Sequence, residues 1–311
     1  MTPRELAIAR TVIYAALFDY PLTLDQLHVS LIESEQTPEE ILAVFDGSES
    51  LQHIVEYRDG LFFPAGRDDL LPERRRRETR SLAFLARHRR LLQLLCALPF
   101  TRAVALSGSV AHLNLEPNGD LDLFIVTRGP RVWTVTLAAI VLTKLLGRRR
   151  DVCINFILAD SHLRLEPQDL FTANQVIHLK PLIGADVLAT LRADNPFVAR
   201  VYPNASVGQA PAALAWTFPR WLARAKWSLE LVLGLPAPLL EAACRQLYGW
   251  HLRRRAATWR SPDQVRLQSD YLKLHTRSHR RTVLDRFDAA LALALRQAER
   301  LTVRRAAGGR R

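Results

Sequence analysis

Val104-Ala105-Leu106-Ser107-Gly108-Ser109, followed after ten residues by Asp120-Leu121-Asp122-Leu123-Phe124-Ile125-Val126, is the stretch that decides how this chain folds. Each half is an apolar run of strand length with its polar residues gathered at one end. Side chains at i and i+2 of a strand point the same way, so Asp120 and Asp122 present two carboxylates from one face while Leu121 and Leu123 enter the core. Two anions held that close repel each other, and a divalent cation relieves the repulsion. Oxygen ligands, waters and substrate phosphates are what Mg²⁺ prefers. Gly108 lets backbone approach a ligand, and Ser109 stands where a helix begins, so free amides there suit a phosphate. The parts together describe phosphoryl-group chemistry: Asp120 and Asp122 hold Mg²⁺ or Mn²⁺, and the turn Ser107-Gly108-Ser109 grips the outer phosphates of a nucleoside triphosphate. Asp-x-Asp alone is common at strand edges and Gly-Ser alone means little; the conjunction of both with two apolar strands carries the reading.

In this conjunction the chain resembles the DNA polymerase beta-like nucleotidyltransferases, whose members share Gly-Ser followed about ten residues later by Asp-x-Asp. The resemblance covers residues 101 to 158. It implies a small mixed sheet flanked by helices, a nucleoside triphosphate donor, metal ligation by Asp120 and Asp122, and contacts from Gly108 and Ser109 to the triphosphate. The family pattern has a third carboxylate on a following strand. Here Val152-Cys153-Ile154-Asn155-Phe156-Ile157-Leu158 offers Asn155 in its place, with Asp151, of the same strand parity, as the substitute. Asn155 supplies a neutral oxygen but no base. The activity implied is transfer of a nucleoside monophosphate to a hydroxyl of a small molecule, protein or RNA, with pyrophosphate released. The alternative is a noncatalytic nucleotide-binding or regulatory scaffold.

Working outward, residues 73 to 98 read as one long helix whose Arg74-Arg75-Arg76-Arg77 run is expected on a solvated face. Strands at 103–106, 121–127 and 152–158, with helices between, predict an α+β core over 71–168. From 169 the pattern predicts a helical carboxy-terminal domain to 303 and a disordered basic tail over 304–311. Lys180, Lys273, Arg277 and His279 are candidates from that region for gripping the triphosphate or acceptor, Lys273 foremost. The Lys273–His279 cations also suit the end of a helix opened by Ser261-Pro262-Asp263-Gln264. Trp216, Trp221, Trp227, Trp250 and Trp259 are read as core and interface anchors.

Residues 1 to 70 read as a winged-helix-like module: helices opened by Thr23-Leu24-Asp25-Gln26 and Thr37-Pro38-Glu39-Glu40, then a hairpin over 53–64 turning at Arg58-Asp59-Gly60. Its third helix, Pro38 to Asp46, carries three acids and no cation, which argues against duplex DNA and for docking on a protein surface. The module has net charge −9, whereas 71–190 carry +7 and 191–311 carry +14. A basic body attracts anionic partners such as nucleotides, nucleic acid or an acidic lipid surface. Three dispersed cysteines support neither a disulfide framework nor a paired-cysteine zinc site. The start holds no signal-peptide core, and the apolar run Val132 to Thr143 is too short for the roughly 20 residues of a membrane span. A soluble, cytoplasmic protein is the expectation.

Overall fold

The computed structural model describes residues 1–205, 216–274 and 279–308, with the side chains of Asn155 and of 300–308 outside the described set. Three Thr-x-x-Glu/Gln boxes start helices α1 (Pro3–Ala16), α2 (Leu24–Val29) and α3 (Pro38–Asp46). In each, the threonine hydroxyl accepts from the amide three residues on, and that residue's side chain accepts from the threonine amide. The short α4 (Glu49–Gln52) follows. β1 (Leu22–Thr23), β2 (Val55–Arg58) and β3 (Leu61–Pro64) make an antiparallel sheet in the order β1-β3-β2. Asp59 and Gly60 both have positive φ, 53° and 77°, as a tight hairpin turn requires.

α5 (Leu70–Cys96) joins this module to the rest. Its arginine run is not a solvated face throughout: Arg75 and Arg76 are exposed, but Arg74 and Arg77 are buried. Arg74 donates to the Pro21 carbonyl and lies 4.0 Å over the Tyr20 ring, and Arg77 donates to the Phe18 carbonyl and Asp19. Helical spacing puts two cations of the run on the inner side of α5, where they clamp the turn after α1.

The body is α+β, a small mixed sheet flanked by helices. In chain order it comprises β4 (Thr101–Ser107), α6 (Gly108–Ala111), β5 (Leu121–Thr127), α7 (Val132–Leu145), β6 (Val152–Ala159), α8 (Leu170–Ile177), β7 (Lys180–Ile183), α9 (Ala185–Ala193), α10 (Phe197–Val201), α11 (Arg220–Leu233), α12 (Ala237–Arg254), β8 (Val265–Leu267), β9 (Tyr271–Leu274) and α13 (Arg280–Gly308). The strand order is β7-β4-β5-β6-β9-β8, parallel only between β5 and β6.

The region after 169 is therefore not helical to its end, because β7, β8 and β9 complete the sheet on both sides of β4-β5-β6. These strands are three or four residues long, too short for a clear two-residue alternation, and sheet pairing rather than propensity makes them strands. Ser261-Pro262-Asp263-Gln264 opens a single 3₁₀ turn into β8, so Lys273 sits on β9 and not at a helix end. α13 continues through 304 to Gly308, past the expected start of the tail.

Alternation along β4 and β5 sorts two cores. Val104, Leu106, Leu123 and Ile125 pack with Leu92 of α5 and Trp133 of α7. Ala103, Ala105, Phe124 and Val126 belong to the core that takes in α8 and the amino-terminal module. Among the described residues no single helix is long and apolar enough to cross a membrane; α11 and α12 reach that length and composition only as a pair bent by 90°.

Candidate active site

β4 and β5 run antiparallel with Leu106 opposite Leu123 and Ser107 opposite Asp122, so the turn after β4 arrives beside the carboxylates at the start of β5. Gly108 opens α6 with φ +62°, and a methyl group on it would stand 2.2 Å from Asp122 Oδ2. Both the backbone angle and the contact require glycine, and the sequence supplies it. Ser107, Gly108, Ser109, Asp120 and Asp122 line one cleft of about 460 Å³, with Phe124, Phe156 and Val176 as apolar walls.

Asp120, Asp122 and Cys153 bring one donor atom each within 4.8 Å of one another. Burial first, and then the neighbouring Asp120 carboxylate, pushes the Asp122 carboxyl up to about 7, partly offset by a hydrogen bond from the Cys153 thiol. The donor set fits Mg²⁺ or Mn²⁺, which take one or two carboxylates and complete their shell with water and phosphate oxygens. Cys153 is better placed as a hydrogen-bond donor to Asp122 than as a ligand, since a hard cation disfavours sulfur.

The residue beside Asp122 on the next strand is thus Cys153, not Asn155. β5 pairs with β6 as Asp122 to Cys153 and Leu123 to Ile154, then Phe124 to Phe156, leaving Asn155 as an extra residue in the ladder. Ile154 enters one core and Phe156 the other, so the two-residue alternation of β6 is broken at the bulge. The Asn155 side chain lies outside the described residues. Asp151 is not a free substitute: His88 Nε2 lies 3.1 Å from its carboxylate and Arg148 3.2 Å, and the His88 hydrogen bond, foremost, holds its carboxyl below the usual carboxylate range.

The basic candidates separate. Lys180 on β7 pairs with Leu106, one residue from the Ser107 turn, and is half-buried, which lowers its ammonium pKa. His279 lines the cleft. Lys273 is buried on β9; its ammonium donates to the Glu166 carbonyl and Gln264 and faces the Phe156 ring at 5.5 Å, so its donors point to the protein and not the cleft. Burial, foremost, lowers Lys273 to about 8. Arg277 lies outside the described residues.

A second cavity of about 230 Å³ opens from the same turn, sharing Gly108, Ser109, Phe18 and Glu116 with the cleft. Tyr14 of α1, Asn174 of α8 and the paired His112 and His178 rings, 4.0 Å apart, line it, and none of its described lining residues is Lys or Arg. Burial drives both imidazoles toward the neutral form, His178 down to about 4 and His112 well below its usual value. The Tyr14 hydroxyl and Asn114 Oδ1, both buried on this wall, have no hydrogen-bond partner among the described residues. Sequence reading missed these groups. They come from α1, α8 and the segments just after α6 and α8, and nothing local in any of those segments signals a shared cavity. Only Cys153, within the apolar strand already singled out, was within reach, and the register that pairs it with Asp122 is not marked in the sequence.

No protein-family model, curated protein or solved structure matches the chain.

Proposed function

We propose that this protein is a metal-dependent nucleotidyltransferase of the polymerase beta-like kind, moving a nucleoside monophosphate from a triphosphate to an acceptor hydroxyl. The observation that carries the reading is the contact of Gly108 with Asp122. A left-handed glycine, pressed against one of two adjacent carboxylates, brings a turn with free amides to the place where a cation and a triphosphate would meet. Asp120 and Asp122 would hold Mg²⁺ or Mn²⁺, which when bound neutralises charge on the phosphates and lowers the pKa of a bound hydroxyl. Asp122 would have to be ionised to serve as a ligand, and the Cys153 thiol would orient it by donating to the carboxylate. The Ser107-Gly108-Ser109 turn receives phosphate; Lys180, paired with Leu106 on β4, is not among the described residues that line the cleft. Glu116 and His279 are the other described side chains of the cleft able to accept the acceptor's proton. The second cavity, with no Lys or Arg among its described lining residues, suits an uncharged part of donor or acceptor.

The amino-terminal module serves this site as a wall. Its exposed acids on α3 disfavour duplex DNA, and its buried contacts to Arg74 and Arg77 support docking on the body. A nucleotide-binding scaffold without turnover is the second reading, favoured by one observation: a thiol, not a carboxylate, stands beside Asp122 on the neighbouring strand.

Incubation of the full chain with α-labelled triphosphates, Mg²⁺ and a cell extract tests the proposal. Label transferred to an acceptor, with pyrophosphate released and both lost in the Asp120→Asn, Asp122→Asn double variant, is the expected result. Nucleotide binding without pyrophosphate release selects the scaffold, and undiminished transfer by the double variant overturns the metal assignment.

A further inference from the structure

α11 and α12 sort their side chains in the reverse of the usual way. Their charged residues turned inward are Lys226, which donates to the Thr101 hydroxyl and the Cys96 carbonyl, Glu230, which accepts from the Phe100 amide, and Glu241, which accepts from the Trp133 and Thr134 amides. Outward stand Trp221 and Trp227 on α11, then Leu231 and Val232, and Leu239 beyond the bend, with Leu235 at the corner 93% exposed. Residues 231 to 240 carry no charge. The two helix axes meet there at 90°. Leu247 and Trp250 continue the exposed apolar side along α12.

Cations flank this apolar corner. Arg220 and Arg224 are exposed at the start of α11, and Arg245, Arg253, Arg254 and Arg255 are exposed along α12 and just after it. Arg254 stacks on Trp250 at 3.8 Å. The acids between 220 and 255 are Glu230 and Glu241, the two that face inward. The outer side of the hairpin is consequently apolar at the corner, aromatic along the arms, and purely basic where it is charged.

We infer that this corner is a membrane-docking element, which inserts Leu231 to Leu240 into one leaflet of an anionic bilayer and sets the flanking arginines among the lipid phosphates. Tryptophan at the level of the headgroups and arginine snorkelling above an apolar segment are the residue types such an interface selects. A second copy of the chain fits less well. In a two-fold interface the same surface faces itself, so the arginines of one copy would meet those of the other with no outward acid to pair them. Anionic lipid supplies the missing charge. The inference does not depend on the reaction proposed above.

The test is flotation of the full chain with vesicles of phosphatidylcholine alone or of an equal mixture with phosphatidylglycerol, beside sedimentation equilibrium without lipid. The protein should float with the anionic vesicles, release as salt rises, and show blue-shifted tryptophan fluorescence when bound. Leu235→Glu with Leu239→Glu should lower the bound fraction at least tenfold while leaving the thermal transition unchanged, because both side chains already face water. Arg253→Gln with Arg254→Gln should reduce the preference for anionic over neutral vesicles. Failure of the wild-type chain to float, or equal flotation with both compositions, overturns the inference. So does a dimer in solution that the Leu235→Glu, Leu239→Glu variant dissolves without changing flotation.

Discussion

The site turn and the α11–α12 corner break the same rule in opposite directions. At the turn, two carboxylates are gathered where the sheet would ordinarily bury apolar residues, and Asp122 rests against the backbone of Gly108. At the corner, leucines and tryptophans are gathered where water would ordinarily meet polar residues, while Lys226, Glu230 and Glu241 are drawn inward. Scattered exposed leucines are unremarkable, whereas half-buried paired carboxylates and a contiguous apolar corner both call for something to bind. A fold stabilised by burial tolerates such reversals where a ligand offsets them, a cation in the first case and lipid in the second. The comparison teaches that polarity out of place, more than residue type alone, marks this molecule's working surfaces.

The sharpest way to break the first half is Gly108→Ala. The new methyl would meet Asp122 Oδ2 at 2.2 Å with the backbone held at φ +62°. Transfer should fall by about 100-fold or more and stability by ~1–3 kcal/mol, read by turnover and by chemical denaturation. A variant that keeps wild-type turnover would remove the glycine contact from the argument.

The second half is sharpened by setting an inward charge against an outward leucine. Glu241→Ala leaves the Trp133 and Thr134 amides at the start of α7 unpaired and should cost ~1–3 kcal/mol by denaturant unfolding. Leu239→Gln, on a side chain 77% exposed, should move stability by less than about 0.5 kcal/mol. Equal losses from the two would mean that the corner is packed in solution and is not a free surface.

The carboxylate pair has its own signature in pH. Without metal, Asp122 keeps its proton in the folded state up to about 7, while the unfolded chain releases it near the ordinary aspartate value of 3.8. The folded state then binds more protons across that interval, so this group's contribution to stability falls as pH rises from about 4 to about 7 and stays low above it. Asp122→Asn removes the penalty and should stabilise the metal-free protein by ~1–3 kcal/mol at pH 8 but little at pH 4, measured by thermal unfolding in chelator. Mg²⁺ should narrow the difference between wild type and variant at pH 8. A variant less stable than wild type at pH 8 in chelator would show that the carboxylates are not in mutual repulsion.

The smallest expected effect separates Cys153 from Asn155. Cys153→Asp puts a third carboxylate in register with Asp122 and should tighten Mg²⁺ binding by several-fold, about 1 kcal/mol, in calorimetry. Asn155→Asp, at the bulged position with no partner on β5, should change it little. The reverse ranking would mean that the bulge carries Asn155 to the metal.

Much of this could be read before any coordinates. The capping threonines, the Asp59-Gly60 turn and the apolar runs of β4, β5 and β6 depend on neighbours within a few residues, so the sequence alone determines them. The grouping of Gly108 with Asp122 was legible as a motif, but their contact follows from the antiparallel pairing of β4 with β5. Tertiary structure alone decided the rest. β7, β8 and β9 are strands because an existing sheet edge offers them hydrogen bonds, and no pattern within three or four residues states that. The register that sets Cys153 opposite Asp122, and the extra residue that follows in β6, are decided by how β5 and β6 pair and not by any pattern within β6 itself. The outward turn of Trp221, Trp227 and Leu235 was equally hidden, since composition counts apolar residues but only packing assigns them to core or to surface.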